Sequence, residues 1–152
     1  MDIKATIFSF CNYQERSHQE VRNKLYDLGY HKAEVESVLS DLIEVGLLNE
    51  ERFARSFARG KFRMLHWGRI KIIQHLKQHR VSDYCIKKGL SEIDDMEYIK
   101  TLCSLGIKKA KELKSVSNPK VKESKIYNFL SQKGFESRLI VQEMSGILNY
   151  RD

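Results

Sequence analysis

Apolar residues return along this chain at steps of three and four, the spacing that lines one face of a helix. Val21, Leu25 and Leu28 form one such run, and Val35, Val38, Leu39, Leu42 and Ile43 the next. Start and stop signals fall where these runs need them. Ser17-His18-Gln19-Glu20 has the form of a capping box, in which the serine hydroxyl accepts from a first-turn amide and the glutamate reaches back to the cap amide. Gly29 stands where a helix ends in a left-handed residue. The pattern predicts a helix over 17–28 and a second over 32–45, which buries its five apolar positions and stops at Gly46. Asn49 then caps a third helix, with Glu50 and Glu51 at the positive end of its dipole.

The same spacing is written three times. Val21, Leu25, Val35, Leu39 and Leu42 fall on Ile72, Leu76, Ile86, Leu90 and Ile93 at an offset of 51, and those fall on Ile126, Leu130, Ile140, Met144 and Ile147 at a further 54. Four gaps held in three copies point to one supersecondary unit repeated. Gly29 meets Gly134 in this overlay, but the middle copy has Arg80 there, which weakens that one correspondence. Each copy reads as helix, turn, helix, and the first two add a third helix over 49–64 and 95–113. Such units cannot bury their apolar faces alone, so the expectation is an all-α protein without strands, an elongated array of tandem three-helix repeats of helix-turn-helix type. The expected boundaries are an N-terminal helical segment over 1–16, a first repeat over 17–66, a second over 67–115 and a third, shortened repeat over 116–152. The flexible joint is placed at Ser115-Val116-Ser117-Asn118-Pro119, which holds the only proline.

Composition fits this picture. With 41% hydrophobic and 31% charged residues, the 152-residue chain reads as folded and charge-rich. Cys11, Cys85 and Cys103 are odd in number and widely spaced, which reads as reduced thiols. No apolar run reaches the length of a membrane span, and the N-terminus lacks the features of a signal peptide, so a cytoplasmic protein is expected.

Charge narrows the function. The net charge is +7, yet residues 47–71 hold seven Lys and Arg against two Glu, and residues 107–125 hold seven Lys against two Glu. Each segment is +5 and the remainder is −3. Localised positive charge implies an anionic partner, either nucleic acid or an acidic protein surface, with a merely solvated lysine face as the bland alternative. Wound at 100° per residue, Arg52, Arg55, Arg59 and Arg63 fall within an arc of about 80°, and Phe53, Phe57 and Met64 within about 40° on another face. The apolar set is assigned to the core and the arginine stripe to solvent or a partner. Guanidinium groups suit carboxylate and phosphate alike. Trp67 is read as packing the bend before the next helix, with stacking on a partner as the other reading.

Catalytic signals are few. His75 and His79 are one turn apart but have no further ligand at suitable spacing on their helix. Asp94-Asp95 reads as a helix cap. No Gly-rich phosphate loop or nucleophile turn occurs. The chain reads as a protein without a catalytic site, metal or cofactor.

Three stretches together resemble a known family: Arg16-Ser17-His18-Gln19-Glu20-Val21 leading to Leu25 and Gly29; Gly46-Leu47-Leu48-Asn49-Glu50-Glu51-Arg52-Phe53-Ala54; and Gly68 followed by Ile72 and Leu76. They are similar to the RecX regulators of the bacterial recombinase RecA, most strongly over residues 16–90. The family often has aspartate where Glu50 or Glu51 stands here, and the third repeat matches only in apolar spacing. The resemblance implies a cytoplasmic protein of tandem three-helix repeats, and a monomer is expected. It would bind the RecA filament on single-stranded DNA, with direct DNA contact left open, and modulate, usually inhibit, its ATPase, recombination and coprotease activities in repair and the SOS response. Candidate contact residues are Arg52, Arg55, Arg59, Arg63, Arg69 and Lys71, with Lys108, Lys109, Lys111 and Lys114. Two other readings stand beside it: nonspecific DNA binding, and a helical scaffold for another acidic protein.

Overall fold

The computed structural model describes residues 2–151. Among these there are nine helices and no strand: α1 (Ile3–Tyr13), α2 (His18–Asp27), α3 (Lys32–Glu44), α4 (Glu50–Leu65), α5 (Arg69–Gln78), α6 (Asp83–Leu90), α7 (Asp95–Glu112), α8 (Pro119–Gln132) and α9 (Ser137–Leu148). The caps act as the sequence suggests. Ser17 Oγ accepts from the Glu20 amide at 3.0 Å while Glu20 Oε1 accepts from the Ser17 amide at 2.9 Å. Asn49 Oδ1 accepts from the Arg52 amide and Asp94 Oδ2 from the Glu97 amide, both at 2.9 Å. Asn118 caps α8, with Pro119 in its first turn.

The threefold spacing is a threefold geometry. Of the fifteen aligned apolar residues all are buried except Leu90, which is half-buried. After α2, α5 and α8 the chain enters the left-handed region at Gly29 (φ 100°), Arg80 (φ 58°) and Gly134 (φ 100°). The next amide, from Tyr30, Val81 or Phe135, then donates back to Leu25, Leu76 or Leu130 at 3.1–3.2 Å. This is the six-to-one closure of a Schellman turn, and it leads in each copy to the residue preceding α3, α6 or α9. The middle copy keeps the turn with an arginine in a conformation that favours glycine. Arg80 is exposed, so the strain is local to its backbone.

The chain forms two compact units. Unit 1 comprises Met1–Arg59 and His75–Glu92, and unit 2 comprises Gly60–Gln74 and Ile93–Asp152. In unit 1, Ile7 and Cys11 of α1, Val21 and Leu25 of α2, and Val35, Leu39 and Leu42 of α3 form one cluster, closed by Leu48. In unit 2, α7, α8 and α9 pack on one another. Their core centres on the fully buried Tyr98, whose ring lies 5.8 Å from Phe62 and 5.1 Å from Phe135.

Two residues expected in the core lie outside it. Met64 is 81% exposed and Ile43 43% exposed. Ala54, Ala58 and Phe62 form a buried stripe centred about 120° from Met64, and Phe53, buried on Met64's own side of α4, lies about three turns earlier in the helix. Two alanines share this stripe with Phe62, and a reading weighted toward large side chains passes over them. Ile43 stands about 80° round α3 from Val35, at the edge of the buried arc. Phe53 and Phe57 lie against the edge of the His79 ring, at 5.2 and 5.6 Å between centroids.

The left-handed Arg80 yields a prediction. Arg80→Gly relieves a backbone cost of about 1 kcal/mol and is expected to raise the melting temperature by about 2–4 °C in a thermal scan. An unchanged or lower midpoint contradicts the assignment of strain to that turn.

Candidate functional site

The arginines of α4 are placed by the helix and held by acids. In unit 1, Arg52 pairs with Glu15 and also donates to the Gly46 carbonyl at 3.0 Å. Arg55 bridges Glu51 at 3.0 Å and Glu92 at 3.1 Å, and Arg59 pairs with the other oxygen of Glu92. Three stripe arginines thus face three carboxylates of their own unit. Unit 1 carries twelve Lys and Arg against twelve Asp and Glu, a net charge of zero.

Unit 2 carries fifteen Lys and Arg against eight Asp and Glu, so the whole net charge of +7 belongs to it. The basic residues there play different parts. Arg63 is exposed and makes no ion pair among the described residues. Arg69 is enclosed: its guanidinium lies 3.8 Å over the Tyr98 ring and pairs with Asp95 at 2.6 Å and Glu136 at 3.0 Å. The Tyr98 hydroxyl accepts from the Arg69 amide at 2.9 Å and donates to Glu136. Burial, and then the bond to Glu136, raise its pKa well above the usual tyrosine value. Arg69 therefore closes the start of α5 onto the start of α9.

Two backbone bonds reinforce that closure. The Gly68 amide donates to the Lys133 carbonyl at 2.7 Å and the Ile70 amide to the Gly134 carbonyl at 3.0 Å. A Cβ on Gly68 would stand 2.2 Å from the Gly134 carbonyl carbon, so only glycine allows this approach. Lys133 Nζ donates to the Leu65 carbonyl at 2.7 Å, and burial, then Lys71, lower its pKa. Trp67 is half-buried, with Lys71 Nζ 4.7 Å and Lys61 Nζ 5.1 Å from its ring.

The lysines at the end of α7 separate in the same way. Lys109 pairs with Glu112 at 3.6 Å and lies 5.1 Å from the Phe129 ring, whereas Lys108 and Lys114 are exposed. Lys111, 5.6 Å from the Tyr150 ring, joins Lys114, Lys122 and Arg151 around a cleft of about 390 Å³. Its floor is Ile107, Ala110, Ile147 and Leu148. Lys122 and Arg151 were not singled out from the sequence; Lys122 stood inside the basic segment 107–125, but nothing in spacing joined Arg151 to it.

Other candidate chemistry is held inside the fold. His79 Nδ1 lies 3.1 Å from the buried Ser17 Oγ, and no group of three or more His, Cys, Asp or Glu converges among the described residues. Burial raises the pKa of Cys11, Cys85 and Cys103, and for Cys103 burial and then Glu143 push it up to about 11, so these thiols stay protonated near neutrality. No helix among the described residues is long and apolar enough to cross a membrane.

The pairing in unit 1 is testable. Glu92→Gln removes the carboxylate shared by Arg55 and Arg59, and the variant is expected to leave heparin at higher salt than the wild type. Because the pairs are partly solvated, the melting temperature should stay within about two degrees. Unchanged elution would mean that these guanidinium groups are not masked by Glu92.

Comparison with known proteins agrees with this architecture. The description "RecX, first three-helix domain" matches residues 4–42, and "RecX, second three-helix domain" matches residues 49–90. These spans group the helices as α1–α3 and α4–α6, one helix out of phase with the grouping read from the sequence. The regulatory protein RecX of Prosthecochloris aestuarii is 30% identical over 139 residues, covering 91% of this chain and 89% of that protein. That of Clostridium perfringens strain 13 is 31% identical over 122 residues, 80% of this chain and 57% of that protein. The crystal structure of RecX from Lactobacillus salivarius superposes with a TM-score of 0.84 at 24% identity, over 95% of this chain and 93% of that one, which speaks to the fold. The repeated turns, the helical architecture and these matches lead to one conclusion: the chain belongs to the RecX family of regulatory proteins.

Proposed function

We propose that this protein binds the filament that RecA forms on single-stranded DNA and lowers its ATPase, recombination and coprotease activities, acting as a cytoplasmic monomer without chemistry or a cofactor of its own. The observation that carries this reading is the confinement of the net charge to unit 2. A DNA-containing filament is strongly anionic, and a surface with unpaired cations gains from meeting it, both in encounter rate and in counterion release. Arg63, Lys108 and Lys114 are the candidate cations best placed to do so without breaking a pair. Arg52, Arg55 and Arg59 would first have to exchange Glu15, Glu51 and Glu92 for a new partner, and Arg69 would have to leave the Tyr98 junction. A bound body of this kind restrains the filament by occupying it.

The same charge supports a second reading, direct binding to DNA phosphates without sequence preference. The two readings separate in one titration. RecA on single-stranded DNA is titrated with wild type and with Arg63→Glu/Lys108→Glu/Lys114→Glu while ATP hydrolysis is followed, and both proteins are titrated onto the bare strand. The filament reading expects wild type to lower hydrolysis at sub-stoichiometric binding to bare DNA, with at least a tenfold weaker effect from the variant. No effect of the wild type at saturation sinks it. An effect that tracks bare-strand occupancy at every salt concentration supports the DNA reading instead.

A further inference from the structure

The cleft at the end of α7 differs in kind from the rest of the basic surface. Its cations come from three places: Lys111 and Lys114 at the end of α7, Lys122 near the start of α8, and Arg151 after α9. Among the described residues no acidic one lines it. Lysines in the last turn of a helix ordinarily complement its dipole, and that accounts for Lys111. It does not account for Lys122, which stands near the positive end of α8 where a cation is disfavoured. Nor does a solvated lysine face account for the floor. Ile147 and Ala110 are almost fully buried, Leu148 and Ile107 half-buried, and together they leave an aliphatic hollow beneath a ring of positive charge.

We propose that this cleft is a binding site for an acidic peptide segment of a partner protein, with one aliphatic side chain seated on the floor and flanking carboxylates on Lys114, Lys122 and Arg151. The chemistry of the two layers favours a peptide over a nucleic acid. A single strand is held by flat aromatic platforms on which bases stack, and here the one aromatic, Tyr150, sits on the rim with its ring toward Lys111. An aliphatic floor offers a base little, but it removes a leucine or valine side chain from water. Recognition of acidic motifs by clustered cations is a recurring mode, and a hollow of about 390 Å³ leaves room for an aliphatic anchor together with the peptide backbone that carries it. The inference rests on the reading that unit 2 meets an anionic partner and names the chemistry of that partner. Because its test uses a free peptide, it can fail while the RecA titration succeeds, and the reverse.

The probe is a fluorescein-labelled ten-residue peptide of Asp and Glu with one central leucine, followed by fluorescence anisotropy on the full chain. Its companions are the same peptide with leucine replaced by serine, and an oligodeoxythymidylate of equal charge. Wild type should bind the leucine peptide at least about tenfold more tightly than the serine peptide. Lys114→Glu/Lys122→Glu should weaken that binding at least tenfold, while Lys87→Glu/Lys88→Glu, the same charge change in unit 1, should weaken it far less. Absence of peptide binding, equal affinity for the leucine and serine peptides, or equal loss in the two double variants overturns the proposal. Tighter binding of the oligonucleotide that is lost with Lys114→Glu/Lys122→Glu also overturns it and assigns the cleft to phosphates.

Discussion

Everything else in this fold hangs on a backbone constraint that recurs at the same place in each of the three copies: a helix stops in a left-handed residue so that the next amide closes on the carbonyl five positions back. At Gly29, Arg80 and Gly134 that closure fixes where the following helix begins, and so which face of it meets the one before. The apolar spacing works only because the turn holds it in register. Once Val21 and Leu25 are separated from Val35 and Leu39 by this turn, both pairs fall into one core, and the same is true of Ile126, Leu130, Ile140 and Met144 in unit 2. The middle copy takes the same conformation with an arginine.

The junction in unit 2 adds a polar lock to this apolar frame. Tyr98, Glu136 and Arg69 satisfy one another around a buried hydroxyl, and Gly68 lets two backbones approach within hydrogen-bonding distance. Buried polar groups of this kind are costly unless every partner is present, so the network tolerates little change. Its consequence for function is subtractive. Arg69 belongs to the scaffold's closure, as Arg52, Arg55 and Arg59 belong to pairs in unit 1, and of the candidate contact residues the ones left exposed without an ion pair, Arg63, Lys108 and Lys114, lie in unit 2.

The sequence made the repeats legible because helix periodicity, caps and glycine turns are local signals, within about six residues of one another. What it concealed was long-range. The Glu51–Arg55 pair is one helical turn apart and readable in principle, but Glu15 lies 37 residues from Arg52, and Glu92 lies 33 from Arg59. Without those partners the stripe reads as open cation. Tyr98 and Glu136 are 38 residues apart and carry no shared motif. Met64 differs for another reason: it shares a face with the buried Phe53 but stands about three turns later, where α4 buries Phe62 on another side, and helix winding alone does not tell where along a helix a face is covered. The net charge was likewise visible as two basic segments, but its division into a neutral unit 1 and a unit 2 of +7 depends on which residues pack together.

The central claim is that unit 2, and not the arginine stripe of unit 1, meets the partner. Hydrogen exchange read by mass spectrometry, on the protein alone and bound to a RecA filament on single-stranded DNA, tests it most directly. The account predicts added protection in peptides covering residues 60–67 and 107–122, with little change over 50–59. Protection confined to unit 1, with peptides from 107–122 unaltered, would contradict it.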